Sequence, residues 1–397
     1  MVSRHMHAVG AQPSAIRELF AYGQRKAAEL GADQVFDFSI GNPSIPAPEQ
    51  FNQRLVELIL QGPSLLVHGY TSAAGDEASR DAIAADLNRR FGTDYTRDHL
   101  FLTCGSAMAL TSVFKALAED GEPNEFIVSA PFFPEYRVFV EGAGCRLVVL
   151  PPETERFQVD FAALDQAVTP HTRAVIVNSP NNPSGVVYGE RTIRELAALL
   201  TRKATEIGRP IYIVSDEPYR ELVFHGQSVP FIPNYYPDTL VSYSYSKSLS
   251  LPGERIGYAL VPPAAAEARQ VYLAIAGAAR ATGHVCAPSL IQRAVGLCAG
   301  LRPDLAVYQR NADLLYENLT AYGYRVAEPA GAFYLFFQAP GGLSGQEFSA
   351  LARDRFHILI VPGDSFGCPG WLRLSFCVET ERIEKALPLL ERLIKEL

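Results

Sequence analysis

The sequence has no long apolar run, no paired-cysteine motif and no excess of basic charge, and each gap removes a class of function. No stretch approaches the roughly 20 apolar residues that a membrane helix needs. Residues 1–7 lack the apolar core of a secretory signal, so a cytoplasmic location without membrane attachment is expected. The six cysteines, Cys104, Cys145, Cys286, Cys298, Cys368 and Cys377, form no C-x-x-C pair. That argues against a zinc centre or a dithiol redox site and for reduced thiols; no metal is expected. Lys and Arg number 35 against 43 Asp and Glu, a formal charge of -8. General binding to nucleic acid or anionic membrane wants the opposite sign, whereas a local basic pocket for a small anion stays compatible. Low-complexity tracts, long linkers and internal repeats are missing too.

What is present is ordinary globular material: 397 residues, 48% hydrophobic and 20% charged, enough for two domains. Short apolar runs at 126–129, 146–150, 174–177, 211–214, 239–243 and 256–260 are rich in β-branched residues and apolar on both faces. A buried, mostly parallel sheet requires that pattern. Helix-like stretches such as 107–117 and 191–206 lie between them, so a doubly wound α/β domain is expected. The end of the chain reads differently, with helical patterns near 304–322, 346–354 and from 381, and strands at 332–337, 358–361 and 371–376. The expected division is a large α/β domain over 44–282 and a smaller α+β domain from 1–43 and 283–397.

Several polar clusters follow these strands, where ligands bind in open α/β sheets. Ser215-Asp216-Glu217-Pro218-Tyr219 puts a carboxylate at a buried strand end, which is costly without a positive partner; a structural turn cap is the plain alternative. Asn178-Ser179-Pro180-Asn181-Asn182-Pro183-Ser184-Gly185 is a turn by composition, in which Asn182 has an amide to offer an anionic oxygen. Ser244-Tyr245-Ser246-Lys247 leads on to Arg255-Ile256-Gly257-Tyr258. Hydroxyls and a guanidinium suit a phosphate. A partly desolvated lysine near positive charge has a lowered pKa and a nucleophilic amine; otherwise it is a solvated surface lysine. Thr103-Cys104-Gly105-Ser106-Ala107 is a small-residue turn opening a helix, either an anion site or an ordinary N-terminus.

Taken together and in order, Asn181-Asn182-Pro183-Ser184-Gly185, Asp216-Glu217-Pro218-Tyr219 and Ser244-x-Ser246-Lys247 with Arg255-Ile256-Gly257-Tyr258 resemble the class I/II aminotransferases of pyridoxal-phosphate (PLP) fold type I. The resemblance covers nearly the whole chain. It implies PLP as cofactor, amino acid and 2-oxo acid as substrates, and a homodimer with shared active sites. It implies that Lys247 holds the cofactor covalently and later shuttles the substrate Cα proton. Asp216 would pair with the pyridinium nitrogen, and Tyr219 and Asn182 would bond the ring's O3′. Ser106, Ala107, Ser244 and Arg255 would cradle the phosphate.

In Pro131-Phe132-Phe133-Pro134-Glu135-Tyr136, Phe133 matches the ring that stacks on the cofactor. Arg373, in Trp371-Leu372-Arg373-Leu374-Ser375, matches the arginine that grips the substrate carboxylate. Gly41, in Ile40-Gly41-Asn42-Pro43, matches a loop on the substrate side, with Asn182 beside it. Tyr70 matches a tyrosine that reaches the neighbouring subunit's phosphate. Arg280 lies near the place where some aspartate aminotransferases send an arginine across to the distal carboxylate, although a solvated helix arginine explains it equally. Two rival readings use the same frame: a PLP β-lyase on cysteine-type substrates, and a PLP-binding regulator without turnover. Regulators on this fold usually carry an added basic helix-turn-helix, and family-like sequence here starts near Ser14.

Overall fold

The computed structural model describes residues 1–11 and 15–397. Its centre is a seven-stranded sheet in the spatial order Leu100–Thr103, Gly257–Leu260, Thr239–Ser244, Tyr212–Asp216, Thr172–Asn178, Glu125–Ser129, Arg146–Leu150. Gly257–Leu260 runs antiparallel to both of its neighbours, and the other pairs are parallel. The apolar runs at 126–129, 146–150, 174–177, 211–214 and 239–243 all fall on strands. Leu100–Thr103, a strand not expected from the pattern, pairs only with the antiparallel one and forms a sheet edge.

Helices cover both faces. Gly105–Leu117 packs on one side with the 268–281 helix, and its Ala109, Leu110, Val113 and Phe114 join Phe126, Val128 and Val214 in one core. Glu190–Ile207 lies on the other, burying Ile193, Leu196, Ala197, Leu199 and Leu200 against Ile127, Val175 and Ile213. That spacing is the apolar stripe of a 3.6-residue period, and Gly208, left-handed at φ 81, ends the helix. Each buried Ile, Leu, Val or Phe among them contributes roughly 1.5–3 kcal/mol, and each alanine less. A sheet covered on both faces leaves only its strand ends open to ligands.

The carboxy-terminal part builds a four-stranded antiparallel sheet, Val361–Pro362, Trp371–Ser375, Tyr334–Gln338 and Val326–Ala327. The single strand expected at 358–361 is two. Ile358–Leu359 pairs in parallel with Phe36–Asp37, and Val361–Pro362 pairs with Trp371–Ser375. Between them the Ile360 carbonyl accepts from Ser349 Oγ at 2.7 Å, which leaves the ladder and allows the change of partner. Phe36 and Phe38 thereby enter the core of Leu335, Phe337, Phe348, Leu372, Leu374 and Leu390. The helix Ser289–Leu297 packs instead on the helices Glu49–Gln61 and Glu77–Phe91. No helix among the described residues is long and apolar enough to cross a membrane.

Candidate active site

Two neighbouring parallel strands end at Asn178 and Asp216, which stand opposite each other in register. Asn178 Nδ2 donates to the Asp216 carbonyl at 2.9 Å, and its Oδ1 accepts from the Asn182 amide at 2.8 Å. The turn that follows is held from within, since Asn181 Oδ1 accepts from the Ser184 amide and hydroxyl. The Asp216 carboxyl is buried. Its Oδ2 accepts from the Tyr136 hydroxyl at 2.6 Å, and its Oδ1 has no partner among the described residues. Burial pushes this carboxyl up to about 7; the Tyr136 bond opposes the shift, the neighbouring Glu217 adds to it, and the nearby Ser242 hydroxyl opposes it further.

The next strand, Thr239–Ser244, runs into the short helix Tyr245–Ser248, capped by Ser244 Oγ accepting from the Ser246 amide. This presents Lys247 above the strand ends. Its Nζ donates to the Gly41 carbonyl at 2.7 Å and lies 5.4 Å from the centre of the Phe333 ring. Burial takes the amine down to about 8, the nearby Cys377 thiol opposing the shift and Arg373 and Arg255 adding to it. An amine with that value keeps a minor but useful neutral, nucleophilic fraction near physiological pH, which an ordinary lysine at 10.5 lacks.

At the edge of the site, Gly105 adopts φ +77 to start the helix Gly105–Leu117. That left-handed conformation favours glycine, and a Cβ there would also push against Arg255 Nη2 at 2.6 Å and shift the guanidinium. Arg255 is exposed and donates to the Pro252 carbonyl at 2.9 Å, while Ser244 Oγ lies 2.6 Å from Ser246 Oγ. A helix start carrying Ser106 and Ala107, two hydroxyls and a guanidinium make an anion cradle.

Arg373 supplies a second positive centre. It is buried on the strand Trp371–Ser375, donating from Nη1 to Asn182 Oδ1 at 3.0 Å and from Nη2 to the Ser39 carbonyl at 2.6 Å. The guanidinium lies 4.6 Å from the Tyr334 ring centre and 4.9 Å from that of Phe366. Nε has no partner, and no carboxylate pairs with Arg373 among the described residues. A buried cation without a counter-ion is costly unless an anion arrives to share the site.

These features meet in one family. The profile described as aminotransferase class I and II matches residues 33–390. The chain belongs to the class I and II aminotransferases. Aspartate/prephenate aminotransferase of Thermus thermophilus is 31% identical to it over 93% of this chain and 94% of its own. Aromatic-amino-acid aminotransferase 2 of Thermococcus litoralis is 28% identical over 97% and 96%. Among solved structures, an amino transferase from Eubacterium rectale, 52% identical, superposes with a TM-score of 0.97 over 100% of this chain and 99% of that one. Aspartate aminotransferase of Thermus thermophilus with maleate gives 0.84 at 28% identity, over 99% of each chain.

This aminotransferase brings together Lys247, Asp216, Tyr219, Asn182, Arg373 and Gly41, with Ser106, Ala107, Ser244 and Arg255 around the adjoining turn. Phe133 is half-buried, its ring edge-on to Tyr136 with centroids 5.5 Å apart. Two expected residues are not gathered by a single chain. Tyr70 is 89% exposed, and Arg280 is exposed on the last turn of the helix Ala268–Ala281 with no ion-pair partner among the described residues. Sequence reasoning passed over Asn178, Tyr136 and Tyr334. Asn178 sat inside a quoted motif but read as turn composition. Tyr136 sat inside the quoted segment 131–136, where only Phe133 was singled out, and Tyr334 is far along the chain from its partner with no local pattern to mark it.

Proposed function

We propose that this aminotransferase holds pyridoxal 5′-phosphate on Lys247 and moves amino groups between an L-amino acid and a 2-oxo acid by a ping-pong mechanism. The observation that carries the reading is Asp216 Oδ1, buried and unpartnered at the end of a central strand. An acceptor in that state fits a ring nitrogen that carries a proton. The other parts of the cofactor have fitting partners as well. The cradle of Ser106, Ala107, Ser244 and Arg255 suits its phosphate, Tyr219 and Asn182 its O3′, and Phe133 the face of its ring. When bound, the cofactor supplies an electron sink for charge developing at the substrate Cα.

This chain's own residues do the rest. Asp216 would hold the protonated ring nitrogen. Lys247, through the neutral fraction of its amine, would hold the cofactor and, when its amine is free, would take up and return the proton at the substrate Cα. Arg373 binds the substrate carboxylate by two parallel hydrogen bonds, with Asn182 and the Gly41 loop closing that side.

We further propose that 44–282 and 1–43 with 283–397 act as large and small domains, save that the helix Ser289–Leu297 goes with the large one on which it packs, and that the enzyme is a homodimer. Val56, Ile59, Leu60, Leu65 and Leu66 are exposed on the helices over 49–68, an apolar patch of the kind a partner covers. Tyr70 then serves the partner's cradle. Arg280 serves the partner's substrate, favouring aspartate or glutamate. The aspartate and maleate in the names of similar proteins support that choice, while an aromatic relative marks the alternative.

The test is the visible absorbance of the purified protein as single amino acids are added. A yellow band should bleach with a dicarboxylic donor and return with 2-oxoglutarate, and Lys247→Ala should abolish steady-state transamination. No band after PLP is supplied, or full activity in the variant, refutes the assignment. Release of pyruvate and ammonia from a cysteine conjugate without an acceptor would point to a β-lyase instead.

A further inference from the structure

We propose that Tyr334 is a positioning residue that couples the two ends of the active site, setting the Tyr219 hydroxyl as a donor and supporting the Arg373 guanidinium. The proposal rests on the PLP reading above. Register places it there. Phe336 stands opposite Arg373 across the antiparallel pair, and Tyr334, two residues back on the same face, is the diagonal neighbour of Arg373. The guanidinium accordingly lies over the Tyr334 ring, 4.6 Å from its centre. The far end of the same ring reaches the other half of the site. The Tyr334 hydroxyl is 2.9 Å from that of Tyr219, and both residues are buried. It also fills the space a side chain at residue 41 would need, so Gly41 is glycine because Tyr334 is there. The Gly41 carbonyl in turn receives Lys247 Nζ.

The direction of the hydroxyl pair follows from counting protons. Each phenol has one O–H to give. The Tyr334 hydroxyl has no partner other than the Tyr219 oxygen among the described residues. If Tyr219 gave its proton to Tyr334, it would have none left for a second oxygen, and the buried Tyr334 proton would lack an acceptor. With Tyr334 donating, both are satisfied once an acceptor stands beyond Tyr219, and that acceptor is where O3′ belongs. A phenol that accepts a hydrogen bond is also the stronger donor. Tyr334 therefore strengthens the bond that Tyr219 makes and keeps it aimed.

Two substitutions separate the two effects. Tyr334→Phe keeps the ring under Arg373 and removes the hydroxyl, whereas Tyr334→Leu removes both. Each is made in the full-length holoprotein, and the visible band is titrated with pH alongside steady-state kinetics. In Tyr334→Phe the midpoint should rise by about 0.5–1 pH unit, the equivalent of one hydrogen bond, with KM for the amino donor within about twofold of wild type. In Tyr334→Leu the KM should also rise about tenfold as Arg373 loses its support. An unmoved midpoint in Tyr334→Phe, with a normal wild-type band, overturns the coupling and leaves the cofactor reading intact. A wild-type holoprotein with no visible band overturns both. The Phe variant differs by one atom, so its midpoint decides the matter even if the Leu variant does not fold.

Discussion

Replacing Asp216 by asparagine should have opposite effects on the empty and the loaded protein. The folded carboxyl is held up at about 7 against an ordinary 3.8, chiefly by burial. Between those values the native state binds more protons than the unfolded one, so stability falls as pH rises. The favourable contribution is whole below about pH 4 and gone once pH passes the folded value near 7. The full difference is on the order of 4 kcal/mol, an upper figure because relaxation and water entry reduce it. Asparagine does not ionise, and its side-chain oxygen can still accept from the Tyr136 hydroxyl.

Cofactor-free Asp216→Asn should therefore be more stable than cofactor-free wild type, by about 2 kcal/mol at pH 5 and about 4 kcal/mol at pH 8. With PLP the order should invert, because the neutral amide cannot hold a protonated ring nitrogen, and the variant should release the cofactor more readily. Denaturant midpoints of both proteins at pH 5 and pH 8, with and without PLP, measure all of this. A cofactor-free variant no more stable than wild type at pH 8, or a gap that does not widen between the two values, would refute the claim that burial of an unpaired carboxylate destabilises this site.

The substrate side gives two more expectations. Arg373→Lys loses one of two parallel hydrogen bonds and the planar stack on Tyr334, so KM for the amino donor should rise about 10- to 100-fold, with a smaller change in kcat; unchanged kinetics would exclude Arg373 from carboxylate binding. Arg280→Ala should cripple turnover of aspartate and spare hydrophobic donors, and equal losses for both, measured as kcat/KM, would remove the dicarboxylate assignment.

Much of this was legible in the chain because it is local. The β-branched runs imply a sheet covered on both faces, and the turns at Asn181–Gly185 and after Asp216 carry their chemistry within a few residues. Lys247 and Arg255 stand out for the same reason, since one strand end and one loop hold both. Tertiary structure decided what depends on pairs distant in sequence. The strand expected at 358–361 divides because Phe36–Asp37 competes for its first half. Tyr334 meets Tyr219 across 115 positions, and Tyr136 meets Asp216 across 80, so no periodicity announces either bond. The charge state of the site belongs to the fold as well. An aspartate and a lysine have ordinary values in any unfolded chain, and burial, helped by charges that folding brings near, moves one up to about 7 and the other down to about 8. The residues were thus written in the sequence, whereas their reactivity comes from the water that folding removes.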